Sequence, residues 1–258
     1  MFTAYTLVTG ASLGIGREIA RVAARNGRNL ILTARSADRL EALAEELRAA
    51  HGVTVVVIPA DLSVAGEAAA MWDKAVAEGR RVDFLVNNAG LGSHGAFAEA
   101  DWARKKRSIE VNVLALTELC KLAAEHMERG GRILNVASIA SFVPGPAMAV
   151  YHATKAYVLS LSLALNEEFR GRITVTTLCP GVTESNFLED AEMHDVRFIN
   201  AMRKLPTAAS VAEYGYAAAI GGRAVVVPGL MNKMAPLLSR LLPRTLQAKI
   251  MRQMFGTL

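Results

Sequence analysis

Two side chains in the middle of the chain have the types and the spacing that proton transfer needs. Tyr151 and Lys155 are four positions apart in a segment of helical pattern, so we expect them on one helix face, about one turn apart. A tyrosine with its ordinary pKa near 10 is a poor acid or base at neutral pH. A neighbouring ammonium group stabilises the phenolate and lowers that pKa. The pair predicts an acid–base centre, although an exposed lysine beside a half-buried tyrosine has the same spacing.

Three glycines near the start of the chain predict a phosphate-binding turn. Gly10, Gly14 and Gly16 follow a short apolar run and open a helical pattern. Glycine allows a sharp turn, lets the backbone approach a ligand, and lets the helix pack closely on the strand. The helix N-terminus then directs its N–H groups at a pyrophosphate. The predicted contacts are Gly10, Ser12, Leu13, Gly14, Ile15 and Gly16.

The residues after the second strand favour NADP(H) over NAD(H). A carboxylate at this place usually holds the ribose 2′-hydroxyl of NAD, but this chain has Ala34 followed by Arg35. An arginine can pair with a 2′-phosphate and stack on adenine, whereas the alternative is a solvated arginine. Asp61 could meet the adenine amino group or cap the next helix. The further predicted cofactor contacts after the third and fourth strands are Asp61, Leu62, Asn88, Ala89 and Gly90.

Short apolar runs alternate with longer helical patterns along the chain. Strands are predicted at about 5–9, 29–33, 53–59, 82–86, 131–137, 172–178 and 223–227. Helices are predicted at about 15–26, 36–50, 63–79, 99–129, 148–170 and 209–221, with Ser36 as an N-cap. Strands that are apolar on both faces are typical of a parallel sheet covered on both sides. The predicted fold is α/β, a doubly wound (Rossmann-like) parallel seven-stranded sheet with helices on both faces.

These motifs together resemble the short-chain dehydrogenase/reductase family. The glycine turn, the Asn-Asn-Ala-Gly at 87–90, Ser138 and the Tyr151–Lys155 pair stand in the family's order and spacing, from about residue 5 to 227. The resemblance implies an NADP(H)-dependent oxidoreductase that transfers a hydride between the nicotinamide and a ketone or secondary alcohol. The competing hypothesis is a non-catalytic NADP-binding sensor or interaction protein on the same fold.

The resemblance also implies a catalytic set of four residues. Tyr151 would be the general acid/base, and Ser138 would donate to the same carbonyl oxygen. Lys155 would lower the pKa of Tyr151 and bind the nicotinamide ribose. Asn112 would lie in a local helix distortion and hold a water that relays protons to Lys155; a plain buried asparagine with a local partner is the alternative.

The loop after the sixth strand matches the family's loop beside the nicotinamide. Its predicted cofactor contacts are Pro180, Gly181, Val182 and Ser185. Ser185 stands where the family commonly has threonine, and it keeps the hydroxyl but loses the methyl group. Leu13 stands where some NADP-preferring relatives have a basic residue, so Arg35 is expected to be the main 2′-phosphate contact.

An apolar substrate is expected, because few charges fall on the segments that would form the pocket wall. The segment 186–206 is predicted to be a mobile lid. The predicted wall residues are Phe97, Phe142, Val143, Pro144, Met148, Phe187, Met193, Phe198 and Met202.

The 258 residues are predicted to form a single domain, with a core of 1–228 and a basic amphipathic helical tail of 229–258. The tail has five cations and no acid, which equals the net charge of +5. We expect two helices that pack on the substrate cleft or on a sister subunit. A peripheral contact with an anionic membrane is the less favoured alternative.

Other features of the sequence exclude further classes of site. The chain shows no signal peptide and no apolar run of membrane-spanning length. Cys120 and Cys179 lack metal-ligand spacing and are expected to be buried thiols in a reducing cytoplasm. His94, His152 and His194 also lack that spacing, so no metal is assigned, and His152 is expected to point away from Tyr151. We expect a cytoplasmic homodimer or homotetramer that binds no nucleic acid.

Overall fold

Seven parallel strands form one sheet with the order β3-β2-β1-β4-β5-β6-β7. The computed structural model describes residues 4–184, 187 and 205–255. The strands are β1 Ala4–Thr9, β2 Asn29–Thr33, β3 Val55–Val57, β4 Arg81–Asn87, β5 Gly131–Val136, β6 Ile173–Leu178 and β7 Val225–Val226. The order reverses between β1 and β4, and at such a point an open α/β sheet forms a ligand crevice above the carboxyl ends of its strands.

Helices cover both faces of this sheet, which confirms the predicted fold class. Within the described residues they are α1 Gly14–Arg25, α2 Ala37–His51, α3 Glu67–Val76, α4 Trp102–Ile109, α5 Leu116–His126, α6 Ala149–Glu168, α7 Ala208–Ile220, α8 Met234–Leu241 and α9 Arg244–Phe255. A π-helix, Glu110–Ala115, joins α4 to α5. Short 3-10 helices lie at Ala77–Gly79, Ile139–Phe142 and Met231–Lys233.

Alternating strand residues feed two separate hydrophobic cores. Val8 and Leu32 point to the face covered by α1, α2 and α7. Leu7 and Ile31 point to the face covered by α3, α5 and α6, where Trp72 is fully buried. Because both faces are buried, the strand register is fixed and the strand ends are held in place.

Several predicted boundaries differ from the structure. The edge strands β3 and β7 have three and two residues, shorter than predicted, because each pairs on one side only. The single helix predicted at 99–129 begins at Trp102, where the Asp101 side chain accepts from the Ala103 N–H, and it is interrupted by the π-helix. Ser36 precedes α2 as predicted, but its side chain makes no capping hydrogen bond.

Candidate active site

The glycine turn is locked to the end of β4 by a small set of hydrogen bonds. Thr9 Oγ1 accepts from the Asn88 and Ala89 N–H groups, each at 3.0 Å. The Asn88 amide nitrogen donates to the carbonyl oxygens of Thr9 at 3.0 Å and Gly10 at 3.1 Å. A Cβ atom at Gly16 would collide with the Gly10 carbonyl and with this amide. Gly16 is buried in the first turn of α1, so it shapes the turn and does not line the cleft.

The turn fits a pyrophosphate. Gly10 and Gly14 have φ of +64° and +55°, a left-handed conformation that favours glycine. Leu13 precedes α1 and provides no side-chain cap, so the first N–H groups of the helix are not satisfied by that residue. Such groups, together with the helix dipole, bind anions.

A cleft of about 1060 Å³ lies above this turn and above the carboxyl ends of the central strands. It brings together most of the predicted site residues, from the glycine turn to the loop after β6. Ser185 lies outside the described residues. The predicted site residues that line the cleft are Gly10, Ser12, Leu13, Gly14, Ile15, Arg35, Asp61, Leu62, Asn88, Ala89, Gly90, Ser138, Tyr151, Lys155, Pro180, Gly181 and Val182.

Two arginines border one end of the cleft. Arg35 is exposed at the end of β2, and Arg39, which the sequence interpretation missed, lines the cleft one turn further along. Asp61 lies nearby and accepts from the N–H and the hydroxyl of Ser63, at 3.0 and 2.7 Å. Burial raises the pKa of the Asp61 carboxyl, but the hydrogen bonds from Ser63 outweigh this effect, so the pKa is lowered.

Tyr151 and Ser138 line the cleft at the other end. Burial raises the pKa of the Tyr151 hydroxyl to about 12, although interaction with the Ser138 side chain opposes the shift. The sequence interpretation expected Lys155 and the oxidised nicotinamide together to lower this pKa; in the chain without cofactor, loss of contact with water dominates and the pKa is raised. The serine is held at the end of β5, where its Oγ accepts from the Ala140 N–H at 3.1 Å.

Lys155 is buried on the same helix as Tyr151. Its Nζ donates to the Val136 carbonyl oxygen at 2.8 Å and lies 5.9 Å from the centre of the tyrosine ring. Burial lowers the pKa of this ammonium group to about 8. At neutral pH the ammonium group is therefore charged, although it is buried away from water.

Asn112 lies in the π-helix, so the helix distortion expected there is present. Its Oδ1 accepts from the Leu91 N–H at 2.9 Å, and its amide nitrogen donates to the Leu91 carbonyl at 2.9 Å and to Thr154 Oγ1 at 3.0 Å. A Cβ atom at Gly90 would lie 3.2 Å from Lys155 Nζ and 3.4 Å from Asn112 Oδ1. Both polar groups thus lie close to the same glycine, where a larger side chain would crowd them.

The predicted substrate wall is partly correct. Val143, Met148 and Phe187 line the cleft, and the Phe187 ring centre lies 5.2 Å from that of Tyr151. Phe97, Phe142 and Pro144 do not line it. Phe97 is 65% exposed and Phe142 packs against the sheet core. Outside the described residues lie Met193, Phe198, Met202 and His194, together with most of the predicted lid.

The orientation expected for His152 is wrong. The ring lines the cleft, and its centre lies 6.1 Å from that of Tyr151. Its Nδ1 is 2.8 Å from the Val143 carbonyl oxygen. The ring is buried against Gly145, where a Cβ atom would overlap it. Burial lowers the pKa of His152.

The tail forms one wall of the cleft. Asn232 packs against Gly181, and α8 packs against the 3-10 helix Ile139–Phe142. The buried Gln247 amide donates to the carbonyl oxygens of Ser239 and Leu242, at 2.9 and 2.7 Å, which ties α9 to α8. The tail residues that line the cleft are Met231, Asn232, Met234, Ala235, Leu238, Ser239, Leu242, Gln247, Ile250, Met251 and Met254.

Comparison with known proteins shows the family. The model of the short chain dehydrogenase family matches residues 4–195, which is most of the chain. The chain belongs to this family. It is therefore an oxidoreductase of the kind that interconverts alcohol and carbonyl groups.

The similarity to a curated relative and to two solved structures extends over 80% or more of this chain. "Nodulation protein G" of Rhizobium sp. (strain N33) is 37% identical over 215 residues, 80% of this chain and 85% of that protein. A short-chain dehydrogenase from Sphingobium yanoikuyae, solved in complex with NADPH, has a TM-score of 0.80 and 31% identity, covering 92% and 93% of the two chains. A "bulky-bulky ketone specific" alcohol dehydrogenase from Comamonas testosteroni has a TM-score of 0.76 and 30% identity, with 93% of each chain covered.

The dehydrogenase has two free thiols, Cys120 and Cys179, both buried as expected. Residues 4–184, 187 and 205–255 contain no group of three or more His, Cys, Asp or Glu that could hold a metal ion. Over the same residues, every helix is too short or too polar to cross a membrane.

Proposed function

We propose that this dehydrogenase transfers a hydride between NADP(H) and a bulky apolar ketone or the corresponding secondary alcohol. The observation that carries the proposal is that Tyr151 and Ser138 line one end of a large, mainly apolar cleft whose other end has two arginines.

The cofactor preference follows from charge. Arg35 and Arg39 border the cleft where a ribose 2′-substituent would lie, and Ala34 provides no carboxylate to hold a 2′-hydroxyl. The glycine turn would hold the pyrophosphate on the N-terminus of α1. The NADPH complex of the Sphingobium neighbour supports the same preference. When bound, the cofactor supplies or accepts the hydride.

The proton would come from Tyr151. With a pKa of about 12, the phenol keeps its proton at neutral pH and can give it to a carbonyl oxygen. Ser138 would donate a second hydrogen bond to the same oxygen and so stabilise its developing negative charge. The Lys155 ammonium would stabilise the phenolate left behind and bind the nicotinamide ribose. Asn112 would hold a water that returns a proton by way of Lys155.

The substrate class follows from the cleft walls. Apolar residues, among them leucines, valines and methionines of the core and of the tail, make up most of the lining, and such walls bind apolar molecules. The ketone specificity of the Comamonas neighbour supports a bulky carbonyl compound. We further propose a cytoplasmic homo-oligomer that buries exposed apolar side chains of α4 to α6, among them Trp102, Leu114 and Leu163.

Steady-state assays of the purified chain would test this function. Bulky aryl and alicyclic ketones should be reduced with NADPH and more slowly with NADH, and small aldehydes should have much higher KM values. Tight NADPH binding without turnover across such a panel would contradict the proposal and favour the non-catalytic sensor.

A further inference from the structure

The tail has two chemically different sides. Gln247, Met251 and Met254 are three or four positions apart, so they share the face of α9 that lines the cleft. Ile250, between Gln247 and Met251, lines the cleft as well. We use the name outer tail face for a set of large apolar and cationic tail residues that are exposed to solvent. Its members are the apolar Leu230, Met231, Leu237, Leu241 and Leu246 and the cations Lys233, Arg240, Arg244, Lys249 and Arg252.

The outer tail face exposes large apolar side chains to solvent. Leu230 and Met231 are each 82% exposed, Leu241 is 71% exposed and Leu237 is 51% exposed. An apolar patch of this kind, surrounded by polar groups, is typical of an interaction site. The five cations are exposed beside it, and none forms an ion pair within the described part of the chain.

The charge of this face selects the kind of partner. Residues 229–258 contain no acid. A second copy of the chain that packed face to face would place one cationic patch against another, because a twofold interface pairs the same surface with itself. An anionic lipid surface has the opposite charge, and its headgroup boundary accepts aliphatic side chains.

We propose that the outer tail face docks on an anionic lipid surface. The leucines enter the boundary between headgroups and acyl chains, while the arginines and lysines pair with the anionic headgroups. The two tail helices then lie in the plane of the surface, as amphipathic helices do.

Docking would also bring the cleft next to the lipid surface; the role given to the cleft here rests on the proposed function. Met231, Met234 and Ile250 are exposed and also line the cleft, so the lipid-facing surface continues into the cleft wall. An apolar ketone dissolved in the lipid would therefore reach the cleft without crossing bulk water.

Flotation of the purified full-length protein with vesicles tests the docking. Vesicles of phosphatidylcholine mixed with phosphatidylserine should bind the protein, and pure phosphatidylcholine vesicles should bind it weakly. Raising the salt concentration should release it, because exposed charges are screened.

The double variant Arg240→Glu, Lys249→Glu should weaken binding by about a hundredfold or more, since each reversal replaces an attraction with a repulsion. The variant Leu237→Asn, Leu241→Asn should also lose binding.

A matched control reverses two exposed cations elsewhere, Lys74→Glu with Arg129→Glu, and it should bind like the wild type. Failure of the folded, NADPH-binding protein to float with anionic vesicles would overturn the docking. Equal effects of the control and tail reversals would also overturn it. The docking would also be overturned if the wild type does not bind vesicles and the tail variants dissociate its oligomer, because the outer tail face would then be a subunit contact. Vesicle binding without turnover of any ketone would count against the proposed function and leave the docking supported.

Discussion

At the scale of single residues, Tyr151 is set apart from the other tyrosine of its helix. Tyr157 lies on α6 too, but it is exposed and its hydroxyl is 2.9 Å from Thr117 Oγ1. Tyr151→Phe should retain NADPH binding while turnover falls by roughly a hundredfold or more, because the proton donor is lost. Tyr157→Phe is the matched control and should turn over at near the wild-type rate. Near-normal ketone reduction by Tyr151→Phe would remove Tyr151 from its assigned role.

The buried ammonium of Lys155 has a consequence for stability. Its pKa falls from 10.5 to about 8 on burial, so between those pH values the unfolded state binds more protons than the folded state. The stability of the wild type should therefore rise with pH across that window. Lys155→Met should be more stable at pH 7, by up to about 3 kcal/mol from the 2.5-unit difference, and its advantage should shrink towards pH 10.

Urea unfolding without added cofactor at pH 7 and pH 10 measures this difference. The exposed Lys106 provides the control, because Lys106→Met should show no such pH-dependent advantage. A Lys155→Met variant that is less stable than the wild type at both pH values would contradict the prediction.

Residue motifs could be predicted from the sequence where identity and spacing alone define the chemistry. Tyr151, Ser138 and Lys155 are examples, and all three meet in the cleft. The direction of the Tyr151 pKa shift could not be predicted, since it depends on burial. His152 was misplaced for a related reason. Its ring is drawn to the Val143 carbonyl of a neighbouring loop, a contact between residues that helix geometry alone does not consider.

At the scale of elements, we propose that the first turn after β2 determines the cofactor preference. Arg35→Asp should weaken NADPH binding by about 2–4 kcal/mol, because it removes a charged contact and adds a repulsion to the 2′-phosphate. NADH binding should change much less. Arg39→Asp should show the same direction, because that side chain lines the same end of the cleft. Titration by cofactor fluorescence measures both affinities.

The control for this pair is Arg129→Asp, an exposed cation outside the cleft that should leave NADPH affinity unchanged. A wild-type protein that binds NADH more tightly than NADPH would show that the argument from Ala34 and Arg35 is wrong.

The central elements could be predicted because their signals are local. Central strands such as β5 and β6 are short runs rich in apolar and β-branched residues that follow a glycine, and their predicted bounds match to within one residue. The edge strands were predicted too long, because residues beyond β3 are apolar but lack a second neighbour to pair with. The bounds of the π-helix could not be predicted from the sequence. Its hydrogen bonds span one residue more than those of an α-helix, but its residue types are those of an ordinary helix.

At the scale of the whole molecule, the tail shows what an amphipathic pattern can and cannot decide. The sequence indicates two helices with an apolar stripe and five cations, and the helices are present. The pattern left the cleft, a sister subunit and a membrane as alternatives, because a stripe does not specify what covers it. The structure places one side of the tail in the cleft wall.

The two sides of the tail should therefore respond to different substitutions. The variant Leu238→Ala, Met251→Ala, Met254→Ala removes cleft-lining side chains. It should raise the KM for bulky apolar ketones by on the order of tenfold, since each lost contact contributes about 1 kcal/mol or less to binding. NADPH affinity should barely change, because the glycine turn and Arg35 are formed by other elements.

The control is Leu237→Ala with Leu241→Ala. Both residues lie on α8 but outside the cleft lining, so this variant should keep the wild-type KM for soluble ketones. If the cleft-lining triple variant and the Leu237, Leu241 double variant have equal KM values, the tail does not bind substrate. If the triple variant instead loses much of its NADPH affinity, the tail supports the cofactor site.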